Sequence, residues 1–317
     1  MSEFLQRACP ACGASHMREE AHSPVRAETM TVDALRPYWS GLFGEKRFFT
    51  YHRCLGCELL YNPAFFDRER LGELYSSMAP NMEIVSNDAI AATQKGYFDA
   101  AVADTVLGGG YLEIGPDAGY IVREAAARAA FEHFWLFEPN RAIHDTLRAS
   151  AGGKPATLLT DMDDLSPVPD RSVGLAVMVH VLDHLLDPLA MLAQIRTKLR
   201  PGGTLLIVTH NEKSLLRRLM GTRWPPFCLQ HPELYNPATI TALLGRAGYA
   251  AVQVTRSRNY FPLPFLARQA AWTLGLKLDR VPLPDISLGL RLGNMLTLAT
   301  APAQAATDSE PWLAAAE

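Results

Sequence analysis

The stretch Tyr111-Leu112-Glu113-Ile114-Gly115-Pro116-Asp117-Ala118-Gly119 reads as a short apolar strand running into a glycine-bearing turn and then a helix. Such a turn brings backbone NH groups close to an anionic ligand group at the helix N-terminus. An ordinary strand-to-helix turn uses the same residue types, so the surroundings decide its meaning. Working outward, short apolar strands are expected at Phe134 to Phe137, Val173 to Val179 and Thr204 to Thr209, with later ones near Val252 to Thr255 and Met295 to Ala299. Helical spacing separates them. One helix is expected from about Asn87 to Leu107, one carries Leu189, Leu192, Ile195 and Leu199, and one carries Ile240, Leu243, Leu244 and Ala247. Pro201-Gly202-Gly203 and Gly248 stop the last two. This alternation implies an α/β fold with a doubly wound parallel sheet.

The 317 residues, 48% hydrophobic and 20% charged, suffice for one large domain and a small appendage. The expected division is a metal-held lobe over 1–80, a main domain over 81–301 and a loose tail over 302–317. The first region shows no sustained periodicity and no evident core of its own. A formal net charge of -3 and a pI near 6.3 supply no basic field for nucleic acid. The N-terminus lacks the succession of a secretory signal, and the most apolar stretch, Val173 to Leu192, is broken by His180, Asp183, His184, Asp187 and Pro188. Neither export nor a transmembrane span is expected, and the location that follows is cytoplasmic.

Four of the five cysteines form Cys9-Pro10-Ala11-Cys12 and Cys54-Leu55-Gly56-Cys57. Two such turns can place four thiolates around one tetrahedral Zn2+, a closed and therefore structural site. His16 and His52 are lesser alternatives as ligands. A redox dithiol is disfavoured, since neither pair opens a helix after a strand. Cys228 stands alone. Glu138, in Leu136-Phe137-Glu138-Pro139, follows the second strand about twenty residues beyond the turn, where an acidic side chain takes the ribose hydroxyls of a nucleoside ligand.

These residues resemble the class I S-adenosylmethionine-dependent methyltransferases, in particular bacterial members with an N-terminal zinc-binding lobe. Cys54 to Tyr75, with Asn62-Pro63 and Leu74-Tyr75, is similar to that lobe's exit, and YLEIGPDAG to the first cofactor motif, usually E-x-G-x-G-x-G. Thr160-Asp161-Met162-Asp163-Asp164-Leu165 resembles the family's G-D-A-E-D-L, His180-Val181-Leu182-Asp183-His184-Leu185 its H-V-L-E-H-L, and Leu199-Arg200-Pro201-Gly202-Gly203 its turn before the fifth strand. The resemblance spans roughly residues 9 to 301. It implies a Rossmann-like sheet and S-adenosyl-L-methionine bound by Glu113, Gly115, Asp117, Gly119, Glu138, Asp161, Met162 and His180, with Asp161 at the adenine amino group. Two positions depart from the pattern: Asp117 stands where the family usually has Gly, and Gly174 where its fourth strand usually begins with Asp. Asp tolerates the left-handed backbone better than most residues. A dinucleotide-binding dehydrogenase is the rival, but the turn lacks the first close Gly pair of G-x-G-x-x-G.

Methyl transfer needs a nucleophile aligned in line with the methyl and, for a hydroxyl or enolisable carbon, a base. His184 after the fourth strand and His231 after the fifth are the catalytic candidates, each with a structural histidine as its alternative. Zinc-lobed sugar C-methyltransferases place a His in each context, the second in a pattern like E-H-F-x-x-F-S, which Gln230-His231-Pro232-Glu233-Leu234-Tyr235-Asn236 matches only in part. The acceptor expected is a small molecule, by preference a nucleotide-linked or polysaccharide sugar, with a natural-product or lipid hydroxyl as the alternative. An inactive fold that binds a partner is the reading from another class. Arg223-Trp224-Pro225-Pro226-Phe227 and the apolar run Tyr260 to Leu276 are candidates for a substrate cap or a peripheral membrane contact, with core or oligomer (homodimer) contact the blander reading.

Overall fold

The computed structural model describes residues 3–39, 46–76, 85–103, 107–128, 130–273 and 283–303. The expected tail beyond residue 303 and the end of the apolar run, 274–276, lie outside the described residues. The N-terminal region contains β1 (Leu5–Gln6), β2 (Met17–Ala21), α1 (Val32–Leu35), β3 (Tyr51–Cys54), β4 (Leu60–Tyr61), β5 (Ala64–Phe65) and α2 (Arg68–Ser76). There follow α3 (Asn87–Val102), β6 (Gly109–Ile114), α4 (Tyr120–Arg128), β7 (Phe131–Phe137), α5 (His144–Ser150), β8 (Ala156–Leu159), β9 (Val173–Val179), α6 (Pro188–Lys198) and β10 (Leu199–His210). The chain closes through α7 (Leu215–Met220), β11 (Glu233–Leu234), α8 (Pro237–Arg246), β12 (Ala251–Arg256), β13 (Asn259–Pro262), α9 (Leu263–Thr273), β14 (Ser287–Leu290) and β15 (Asn294–Thr300).

The main sheet has seven strands in the order β12-β15-β10-β9-β6-β7-β8. Strands β6 to β10 run parallel, and β15 lies antiparallel between β10 and β12. Successive side chains of a strand face opposite sides, and here both sides are covered. Leu112, Ile114, Ala176, Met178, Leu205 and Ile207 pack with Leu192 and Ile195 of α6 and Ile240 and Leu244 of α8. Tyr111, Leu175, Val177, Leu206 and Val208 pack on the other face with Phe98 of α3, Ile121 and Val122 of α4 and Leu147 of α5. That double burial is why Val173 to Val179 carries no polar alternation. From β6 the chain winds one way through β7 and β8, then returns to β9 on the other side. The strand ends at this reversal are where such sheets hold ligands.

Strand β10 begins earlier than expected. Leu199 already pairs with Val173, and after Pro201-Gly202-Gly203 the register resumes at Thr204 opposite Leu175. The Pro-Gly-Gly stretch is thus a bulge inside a strand, and α6 has already ended at Lys198 before it. Gly174 also gains a reason. A Cβ there would lie 1.9 Å from the Gly108 carbonyl oxygen, so only glycine fits this backbone approach. It sits at the start of β9, five residues and therefore about 16 Å from the ligand end of that strand.

The N-terminal lobe departs from expectation in having a core. Phe4, Trp39, Phe49, Phe65 and Phe66 are buried together with Val32, Leu35, Leu71 and Leu74. Its four-stranded antiparallel sheet has the order β11-β4-β3-β2 and takes β11 from beyond residue 230. Trp224 and Phe227, offered above as a cap, are buried with Phe48, Tyr51 and Leu60 against the lobe sheet. Among the described residues no helix is long and apolar enough to cross a membrane.

Candidate active site

The quoted turn leaves β6 at Gly115 (φ +68), passes Asp117 (φ +47) and enters α4 after Gly119 (φ +71). All three occupy the left-handed region, and Asp is among the few side chains that tolerate it. A Cβ on Gly115 would lie 2.7 Å from Val181 Cγ2, so the turn presses against the segment leaving β9. Beside it stand three carboxyls. Glu138 follows β7 and is buried; its Oε1 accepts from the Asn140 amide at 2.9 Å. Glu113 is buried one strand over, and Tyr111 donates its hydroxyl to it at 2.5 Å. Burial pushes Glu113 up to about 8, reinforced by Asp117 and Glu138, and burial raises Glu138 and Asp117 as well. Among the described residues none of the three has an ion-pair partner. A ligand carrying an ammonium and a sulfonium, with ribose hydroxyls to donate, supplies what this acidic group lacks. Asp161 lies exposed beyond β8, its Oδ1 accepting from the Asp163 amide at 3.0 Å, and Met162 packs against the core beside it.

Glu113 gives a stability prediction. Its folded value of about 8 exceeds the ordinary 4.5, so between these the folded chain holds a proton that the unfolded chain releases. Stability of the ligand-free protein is therefore expected to fall as pH rises from about 4.5 to 8, by a few kcal/mol at most. Glu113→Gln should flatten that part of the curve in denaturant titrations across pH, and a parent curve already flat there sinks the assignment.

Past the ends of β9 and β10 four imidazoles meet. His184 and His231 have ring centroids 4.7 Å apart, His210 and His231 4.9 Å, and His180 and His210 4.6 Å. His180, in the left-handed region at φ +52, receives its position from its amide bond to the Val208 carbonyl. Its Nε2 is 3.2 Å from Asn294 Nδ2, so its side chain faces the histidine group. His184 Nδ1 lies 2.6 Å from the Tyr75 hydroxyl. His210 Nδ1 lies 2.6 Å from Oδ2 of the fully buried Asp183. His180, His184 and His210 each keep accessible surface although densely surrounded, as side chains lining a recess do. Burial holds His180 and His184 down to about 3.

His231 differs. Burial lowers it, but Cys228, Asp183 and the Pro226 carbonyl outweigh burial and raise it to about 9. Its Nδ1 is 2.7 Å from the Pro226 carbonyl oxygen, which only accepts, so Nδ1 carries the proton and Nε2 is left for chemistry. Cys228 Sγ lies 3.3 Å from the same nitrogen. Of the residues singled out in the sequence, the structure brings His180, His184 and His231 together; His210, Asp183 and Cys228 join them without having been singled out as site residues. His210 had a visible signal: it follows Thr209, where the expected strand ends. Asp183 lay inside the quoted motif, but its pairing with a residue 27 positions away left no local trace.

The four cysteines also converge. Cys9 and Cys57 sulfurs are 3.5 Å apart, as are those of Cys12 and Cys54, and all four lie within 4.8 Å of one another. Zn–S bonds of about 2.3 Å in a tetrahedron place sulfurs about 3.8 Å apart, which this arrangement fits. Neither His16 nor His52 joins the group.

A family model described as a methyltransferase domain matches residues 92–254, just over half of the chain. The chain belongs to the methyltransferase-domain family. It is a class I methyltransferase that uses S-adenosylmethionine. Among solved structures, a chain from the complex between the Haloferax volcanii Trm112 methyltransferase activator and a protein described as a methyltransferase is 17% identical, with 68% of this chain and 95% of that chain covered at a TM-score of 0.49. The YcgJ protein of Bacillus subtilis is 13% identical, covering 67% of this chain and 98% of its own at 0.47. An S-adenosylmethionine-dependent methyltransferase of Mesorhizobium loti is 18% identical, covering 64% and 95% at 0.45. No curated protein matches the methyltransferase. The assignment rests on the family model, not on these likenesses.

Proposed function

We propose that the chain methylates a small molecule bearing a hydroxyl, by preference a nucleotide-linked or polysaccharide sugar, seated in the histidine-lined recess. His231 takes the acceptor's proton and His184 assists. The observation that carries this reading is the meeting of His184 and His231, 4.7 Å apart, beyond the strand ends where the cofactor cleft lies. S-adenosylmethionine supplies an electrophilic methyl on a sulfonium. The acceptor oxygen attacks that carbon as its proton passes to His231 Nε2; the O–C bond forms, and the S–C pair leaves on sulfur. Walls of imidazole, phenol and amide from His180, His210, Tyr75 and Asn294 suit a polyhydroxylated acceptor. Glu138 takes the ribose, Asp161 the adenine, and the Gly115 to Gly119 turn with Glu113 and Asp117 the methionine end, with Met162 and His180 beside them. The four thiols hold one structural Zn2+. The lobe over 1–80, the main domain over 81–301 and the tail over 302–317 belong to the same proposal, with β11 joining the lobe's sheet.

Methyl transfer to a panel of nucleotide sugars, oligosaccharides and apolar phenols tests the acceptor class. Turnover restricted to the apolar members removes the sugar assignment. The cofactor assignment is tested separately. Glu138→Ala loses a charge-assisted hydrogen bond worth about 1.5–3 kcal/mol, so S-adenosylmethionine affinity should fall about 10-fold to 100-fold by calorimetry. Unchanged affinity refutes the placement of the ribose.

A further inference from the structure

The geometry points to a second metal site, formed by His180, Asp183 and His210, which takes one divalent transition-metal ion. One ring nitrogen from each histidine and one carboxylate oxygen lie within 4.8 Å of one another. Two polar atoms of this group are buried and lack any hydrogen-bond partner: His180 Nδ1 and Asp183 Oδ1. Asp183 itself is fully buried, and among the described residues its ion-pair partner is an imidazole, with no lysine or arginine on it. A buried carboxylate of this kind is costly until a cation meets it.

The three ligands sit on rigid supports. His210 is the last residue of β10, and His180 follows β9, held to β10 by its amide bond to the Val208 carbonyl. Asp183 lies in the 3-10 turn Leu182–His184 that leaves this corner. Two imidazoles and one carboxylate on one side of an ion leave further positions open, and this donor set suits iron, manganese, cobalt or zinc better than calcium or magnesium. His210 and His180 keep some accessible surface while Asp183 is buried, so a ligand can approach from the histidine side. An ion so placed would hold an acceptor oxygen next to His231. That role rests on the proposed methyl transfer, whereas ion binding does not.

The test uses full-length protein with zinc already in the cysteine site, titrated with Co2+ and followed by visible absorption and calorimetry. The expected result is one Co2+ per chain beyond the zinc, with ligand-field bands of a nitrogen and oxygen site and no thiolate-to-cobalt charge transfer. His180→Asn keeps a residue that tolerates the left-handed backbone and removes a ligand. Asp183→Asn removes the charge. Each should weaken Co2+ binding by more than the roughly 10-fold to 100-fold of an outer-shell change. Circular dichroism is measured on both variants and S-adenosylmethionine affinity on the parent and Asp183→Asn, so a folding failure or a failure of the cofactor reading shows separately. Absence of a second ion in the parent overturns the proposal, as does parent-like Co2+ affinity in both variants. In either case Asp183 and His210 are a hydrogen-bonded pair and nothing more.

Discussion

Methyl transfer by His231→Ala is expected to fall by about 100-fold to 10,000-fold in single turnover, with S-adenosylmethionine affinity nearly unchanged. The expectation comes from how the imidazole is held. Pro226 fixes Nδ1–H at 2.7 Å, and Tyr51 donates its hydroxyl to the His231 carbonyl at 2.7 Å, so ring and backbone are both anchored and Nε2 is the nitrogen free to take a proton. A histidine that only fills space would give a different result: the melting temperature would drop and every ligand would weaken together. The pH profile separates His231 from its neighbours. With His231 raised to about 9, a base that must first lose its proton makes the rate climb between pH 7 and 9. His184, held to about 3, would leave the rate flat over that range. Cys228→Ser removes a group that raises His231, so the climbing limb should move toward the ordinary imidazole range near 6.5. The profile is recorded on protein carrying zinc alone, since a cation at His210 would move the same limb down. A flat profile with parent-like turnover in His231→Ala would end the role proposed for it.

Much of the main sheet was legible because its strands are buried on two faces. Val173 to Val179 is expected and found with the same bounds, since seven apolar residues between polar neighbours leave no other reading. Strand β8 was legible only through the motif that follows it; Ala156 to Leu159 is half-buried and carries no strong pattern of its own. The early start of β10 was hidden by Pro201-Gly202-Gly203, whose composition signals a break and whose structure is a bulge. In the lobe the strands are two to five residues long and pair with distant partners, β4 with β11 across more than 170 residues of chain, so no local periodicity records them. Its aromatic core is spread from Phe4 to Leu74 and converges only in three dimensions.

The same physics decided what could be read of the site. Left-handed Asp117 follows from the position of the turn, and the carboxyl group of Glu138 from the spacing after β7. Short-range geometry carried both. The pair Asp183 and His210 depends on two parallel strands ending side by side, and His231 depends on the lobe. Asn62 donates its amide to the Pro232 carbonyl at 2.8 Å, and Arg7 reaches the same carbonyl at 2.8 Å and the Glu233 carboxylate at 2.7 Å. Neither Asn62 nor Arg7 is near His231 in sequence. They tie the segment that carries His231 to the lobe.

Loss of the cysteine-held metal is therefore expected to reach the chemistry. Metal analysis of the parent should give one zinc from the four thiols, and Cys12→Ser with Cys57→Ser should give none there. In zinc-finger peptides the metal supplies about 10–16 kcal/mol of folding free energy. Here the lobe has Phe4, Trp39, Phe49, Phe65 and Phe66 buried without it, so complete unfolding is not the expected outcome. What a metal on the four thiols would fix is the junction. Cys9, Ala11, Cys54 and Tyr61 pack in one cluster with Tyr235 and Ile240, and Arg246 of α8 donates to the Ala11 carbonyl at 3.0 Å. Cys54 ends β3, which pairs with β4, which pairs with β11 two residues beyond His231. Relaxation of the cysteine turns is transmitted along this sheet to the base. A shift on the order of 1 Å there costs about 100-fold in turnover. Cofactor affinity should change far less, because the Gly115 turn and Glu138 lie on β6 and β7, strands that make no pair with the lobe. The double variant thus separates two roles by the ratio of its effects. A zinc-free protein that transfers methyl at the parent rate would show that the knuckle holds nothing the active site needs.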